Sequence, residues 1–110
     1  MNDAQIGKIR SAIESADHIP AEKRAELLGL LSKIGPAIAE ASQMHAGNAQ
    51  NVAKLITAST HTVAGKEQRP EHLKGLLHEL KQSAENFEAS HPHLLAAVTD
   101  YSTLLSALGI

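Results

Sequence analysis

Apolar positions along the chain recur at spacings of three and four, the signature of helices that each bury one face. The first such stretch sets Ile6, Ile9 and Ile13 on one side, with Ala12 and Ala16 beside them. Asn2 precedes it with Gln5 three residues on, the spacing of a capping box in which each side chain satisfies the other's free backbone N–H. The stretch ends at Asp17-His18-Ile19-Pro20, because a proline pushes the residue before it out of the helical region. Pro20 is then expected as the first residue of a second helix, with Glu22 near the positive end of its dipole. Its stripe is Leu27, Leu30, Leu31, Ile34, Ile38 and Ala41, and Leu28 lies about 100° to one side of Leu27. Gly35-Pro36 falls inside the stripe without shifting its phase, which predicts a kink in a continuing helix.

Met44-His45-Ala46-Gly47-Asn48 predicts the next break, with Gly47 as a left-handed stop and Asn48 as the cap of a third helix. That segment has a weak face of small residues: Ala49, Val52, Ile56, Ser59 and Val63, flanked by Leu55 and ended by Gly65. It has no carboxylate from Ala41 to Gly65, and its three Thr lower helix propensity. Residues 41–66 are thus open to either a packed helix or a connector.

Lys66-Glu67-Gln68-Arg69 is a charged connector, after which Pro70 opens a fourth helix striped by Leu73, Leu76, Leu77, Leu80, Ala84 and Phe87. Ser90 or His91 is expected to cap a fifth helix that Pro92 opens and whose face is Leu94, Val98, Tyr101, Leu105 and Leu108. Gly109 suits the left-handed position after a helix, with Ile110 folding back on Leu105 in a Schellman arrangement. Short connectors join antiparallel neighbours, so the expected fold is all-α. It is an up-and-down helical bundle of four long helices plus a short N-terminal one, a single domain over residues 1–110. The expected core is Ile9, Ile13, Leu27, Leu31, Ile34, Ile38, Leu73, Leu77, Leu80, Phe87, Val98, Tyr101, Leu105 and Leu108.

Composition points the same way. Of the 43% of residues that are apolar, Ala and Leu supply most, while there is one Phe, one Tyr and no Trp, a poor mixture for strands. A net charge of −2, spread along the chain, lacks the cationic surface that nucleic acid requires. The absence of Cys excludes disulfides, thiolate metal sites and thiol chemistry. No apolar run is long enough for a membrane span, no helix has a basic amphipathic face, and Met1-Asn2-Asp3-Ala4-Gln5 does not open a signal peptide. A cytoplasmic protein is expected.

The C-terminal stretch Phe87-Glu88-Ala89-Ser90-His91-Pro92-His93-Leu94, with Leu104, Leu105 and the tail Leu108-Gly109-Ile110, carries a resemblance. It resembles a family of small bacterial proteins known only as a domain of unknown function, marked by a Phe-Glu-x-x-His-Pro helix start and a Gly-Ile tail. Ile19-Pro20-Ala21-Glu22 through Leu31 and Ile34 is similar to that family's opening helical pair. Residues 41–66 depart from it, being longer and less charged than the family's linker. The resemblance implies a small α-helical bacterial protein and brings no established activity.

Candidate chemistry is sparse. The seven His include no pair at the spacing of three, four or seven that puts two ligands on one helix face, so no metal site and no cofactor is expected. Glu88-Ala89-Ser90-His91 matches the Glu-x-x-His of di-iron bundles, but those use two copies and further inward Glu, and Pro92 disfavours a helical His91. No Gly-x-Ser-x-Gly elbow or phosphate-binding glycine loop is present, and an enzyme is not expected. What stands out is surplus Leu. Leu28 and Leu95 lie outside the stripes and Leu104 at the edge of one, which suggests a second contact surface. The expected function is a non-catalytic protein-interaction or homo-oligomerising module, with self-association or a protein partner. The alternative is a small-ligand or metal-ion binding bundle using interhelical His residues.

Overall fold

Local chemistry decides where the helices start. In the computed structural model, which describes residues 1–110, α1 spans Asp3–Glu14. It opens on the expected capping box: Asn2 Oδ1 accepts from the Gln5 N–H at 2.8 Å, and Gln5 Oε1 accepts from the Asn2 N–H at 3.1 Å. The second helix, α2, spans Ala21–Ser42. Pro20 stands just before it in an extended conformation instead of forming its first turn, a shift of one position from expectation. As expected, α2 continues through Gly35-Pro36. Pro36 is exposed, so water reaches the turn where its missing N–H frees a carbonyl. Gly35 is buried, and a Cβ there would meet Ile6 Cδ1 at 2.7 Å, so glycine lets α1 lie close against α2.

The third segment, open in sequence to a helix or a connector, is a packed helix. Helix α3 spans Ala46–Ala64 and buries more residues than any other helix: Ala49, Val52, Ala53, Leu55, Ile56, Ser59, Thr60 and Val63. It packs against all four other helices. Its buried positions follow one helical stripe, while Gln50, Asn51, Lys54 and His61 on the other side are exposed, and small side chains let its neighbours approach. Its hydroxyls are satisfied internally. Ser59 donates to the Leu55 carbonyl at 2.7 Å, Thr57 to Ala53 at 2.9 Å and Thr62 to Ala58 at 2.8 Å. Thr60 Oγ1 lies 2.7 Å from the Tyr101 hydroxyl. Gly47 is inside this helix, no residue of the chain has a positive φ, and Asn48 caps nothing. The break is the short connector 43–45.

Helices α4, Pro70–Glu85, and α5, Pro92–Gly109, complete the fold. Phe87 lies just beyond α4 and is fully buried. The expected Schellman ending does not form. Helix α5 runs through Gly109 with ordinary negative φ, and the Ile110 N–H bonds to the Ser106 carbonyl at 2.9 Å. Gly109 is required for another reason: a Cβ there would meet Leu73 Cδ2 at 2.5 Å and Val63 Cγ2 at 3.3 Å. Every expected core residue is buried except Leu108, which is half-buried at this same end.

The four long helices form a ring in which each touches its chain neighbour and α5 closes on α2, while α3 and α5 also meet across the diagonal. Helix α1 lies over α2 and α3. One end of the bundle gathers the starts of α3 and α5 beside the end of α4, where the Phe87 ring sits 6.0 Å from both His45 and His91. The other end gathers Val63, Leu73 and Gly109. Helix α4 therefore runs opposite to α3 and α5. His18, in the connector before α2, reaches this second end, its Nε2 donating to the Val63 carbonyl at 2.9 Å. A carbonyl only accepts, so Nε2 carries the proton, and a free carbonyl in the last turn of α3 gains a partner. Arg24 does the same for α1, donating to the Glu14 carbonyl at 3.1 Å.

Candidate interaction surface

The residues of the C-terminal signature are mostly structural in their surroundings. Phe87 fills the core, Glu88 is exposed, and Pro92 is the first residue of α5. His91 holds the cap position, but neither its side chain nor that of Ser90 bonds the free N–H groups of the helix. Its ring instead meets Phe87 edge-on and its Nδ1 lies 3.1 Å from Ser90 Oγ. Gly109 is packed against α3 and α4, and Ile110 is half exposed.

No three His, Asp or Glu side chains gather as a metal ion would need. His45 and His91 flank Phe87, His18 caps α3, and His78 faces a groove between α4 and α5. Only His61 and His72 share a hollow, a polar notch at the α3–α4 turn of about 380 Å³ that Lys66, Glu67 and Arg69 also line. Arg69 donates to Glu67 Oε2 at 2.8 Å, and that hydrogen bond first, the cation's charge second, holds the Glu67 carboxyl below its ordinary range. The two remaining ion pairs, Lys23–Glu26 and Lys74–Glu71, are exposed and contribute little. Inside the core, burial pushes the Tyr101 phenol up to about 12, with the Thr60 hydrogen bond opposing.

Leu28, Leu95 and Leu104 are all half-buried and pack against the core. Leu104 alone of the three lines the groove between α2 and α5, an open hollow of about 570 Å³. Helix α2 contributes Glu26, Gly29, Leu30 and Lys33, and α5 contributes Asp100, Thr103, Leu104 and Ala107. Each set has the spacing i, i+3, i+4, i+7, so each is one straight stripe on its helix. Leu30 and Leu104 form an apolar floor, and Glu26, Lys33 and Asp100 stand exposed at its rim. Leu30 and Gly29 join this surface without a sequence signal, since by spacing Leu30 belongs to the core stripe of α2 and Gly29 has no side chain to mark it.

No helix is long and apolar enough to cross a membrane. In comparisons with known proteins, no family model, no curated protein and no solved structure matches this chain.

Proposed function

We propose that this protein is a non-catalytic interaction module, an up-and-down bundle of four long helices with a short N-terminal one, that works by self-association or by docking a protein partner. The observation that carries the reading is the α2–α5 groove, an apolar floor of Leu30 and Leu104 within a charged rim. Such an arrangement, apolar at the centre and polar at the edge, is how protein interfaces are built. On this reading the C-terminal signature from Phe87 to Pro92, with Gly109 and Ile110, is that of the small bacterial helical family, and the protein acts in the cytoplasm. The test is the solution mass by light scattering on a sizing column, at about pH 7.5 and again at about pH 5.5, either side of the His range. A dimer supports self-association. A monomer at both overturns self-association.

A second reading rests on the notch that His61 and His72 share with Lys66 and Arg69. His61 of α3 and His72 of α4, with Lys66 and Arg69 of the connector between them, offer N–H donors to a small anion, while Glu67, the one carboxylate of the notch, is bonded to Arg69 and no three metal-binding groups converge. Calorimetric titration with inorganic phosphate supports this reading if binding saturates and His72→Ala abolishes it; absence of heat counts against it.

A further inference from the structure

The geometry points to a second copy of this chain as the occupant of the α2–α5 groove, docked with its α2 antiparallel across this one. The inference rests on the interaction reading above and names its partner. The argument starts from the order of residues on the α2 stripe: Glu26, Gly29, Leu30, Lys33. A two-fold axis through the middle of that stripe, between Gly29 and Leu30, pairs each position with its counterpart on the other side of the midpoint. Glu26 of one copy then faces Lys33 of the partner, and Lys33 faces the partner's Glu26. Leu30 faces the partner's Gly29, twice. Charge and shape are thus both self-complementary about one axis.

The isolated chain leaves this arrangement open. Gly29 is exposed, and a Cβ there would meet nothing within 4 Å, so the hollow that receives the opposing Leu30 is empty. The nearest cation to Glu26 in its own chain is Lys23 at 3.6 Å, an exposed pair that leaves room for a second cation. Asp100 stands on the same rim from α5, and no ion pair within the chain satisfies Lys33. The face is long enough to matter. About that axis the two α2 helices overlap over residues 21–38, about 27 Å, and with a face about 20 Å wide this offers roughly 540 Å². That is below the ~800 Å² per partner of a standard interface, so the dimer should be weak and concentration-dependent.

The experiment is sedimentation equilibrium from about 10 μM to about 1 mM on the whole chain, with charge reversals at the rim. Both rim residues are exposed on a long helix, so reversals leave the fold intact, checked by helical circular dichroism and melting. Glu26→Lys alone and Lys33→Glu alone each set two like-charged pairs face to face and should weaken the dimer on the order of tenfold. Glu26→Lys with Lys33→Glu in one chain restores it. Mixing the two single variants gives a heterodimer, because all charges of one chain then oppose those of the other. Gly29→Leu fills the hollow and separates the copies without unfolding them. Wild type monomeric throughout overturns both this proposal and self-association. A dimer indifferent to the reversals and to Gly29→Leu overturns this proposal alone and leaves self-association through another face.

Discussion

Replacing Tyr101 by Phe removes a single oxygen from the core and strands the Thr60 hydroxyl. The two residues are 0% and 1% exposed and their oxygens are 2.7 Å apart, so water supplies no substitute. A buried group left without its hydrogen bond costs about 1–3 kcal/mol. Thr60 has an escape, since Ser59, Thr57 and Thr62 all donate to a carbonyl one turn back along α3. The loss for Tyr101→Phe therefore falls at the lower end, about 1–2 kcal/mol. Thr60→Val keeps the shape but strands the phenol, which has no other partner, and the loss is about 2–3 kcal/mol. The double variant strands nothing and should lose less than the sum, by about 1 kcal/mol or more. The assay is urea unfolding of all four proteins followed by circular dichroism, read as midpoints at constant slope. Strictly additive losses would refute the claim that these hydroxyls satisfy each other.

The same phenol makes stability fall in alkali. With its pKa pushed from 10.0 up to about 12, the folded state holds the proton more tightly than the unfolded chain, so this contribution is complete below about pH 10 and lost as pH rises through about 12. The loss is about 3 kcal/mol in all, more than Tyr101→Phe costs at neutral pH, so the stability gap between the two proteins should close and then reverse across that window; a constant gap in urea titrations would count against it. Phe87→Ala should lower stability by about 3–5 kcal/mol, and an unchanged melting temperature would contradict its place in the core. Gly75→Ala should stabilise by about 1 kcal/mol, because the new Cβ meets nothing within 4 Å. Gly109→Ala should destabilise by about 1–2 kcal/mol, because its Cβ runs into the buried Leu73; urea midpoints in the opposite order would refute the packing argument.

Four helices were legible in the sequence because each is buried mainly along one side. Ile9 and Ile13, Leu27 to Ile38, Leu73 to Leu80 and Val98 to Leu105 recur at helical spacing for that reason. Helix α3 shows the same spacing, and Ala49, Val52, Ile56, Ser59 and Val63 are all buried, but its side chains are small or polar, so spacing alone left residues 41–66 open to a helix or a connector. Its three Thr and its Val residues lower propensity in isolation, yet burial more than offsets that, as it does for most helices in proteins. The glycines failed for a different reason. Gly47 and Gly109 were read as left-handed positions, the usual meaning of glycine near a helix end. What governs Gly109 is its distance to Leu73 and Val63, which lie far along the chain and meet it only after the bundle closes.

The surface was half legible, again for a physical reason. Leu28 and Leu95 lie outside the stripes and Leu104 at the edge of one, but an ordinary helix buries a face at least 100° wide, and all three rest partly on the core. Only Leu104 of the three reaches the groove, where it lies with Leu30 between α2 and α5. Its partner Leu30 could not be separated from the core residues Leu27, Leu31 and Ile34 by spacing alone. What the sequence does contain is the order Glu26, Gly29, Leu30, Lys33. An acid and a base at equal distances from a glycine–leucine centre form a stripe that complements its own antiparallel copy. That property belongs to one helix and needs no fold to state. It acquires meaning only in the fold, where Leu27, Leu31, Ile34 and Ile38 turn into the core and Glu26, Gly29 and Lys33 stay exposed on the flank beside α5.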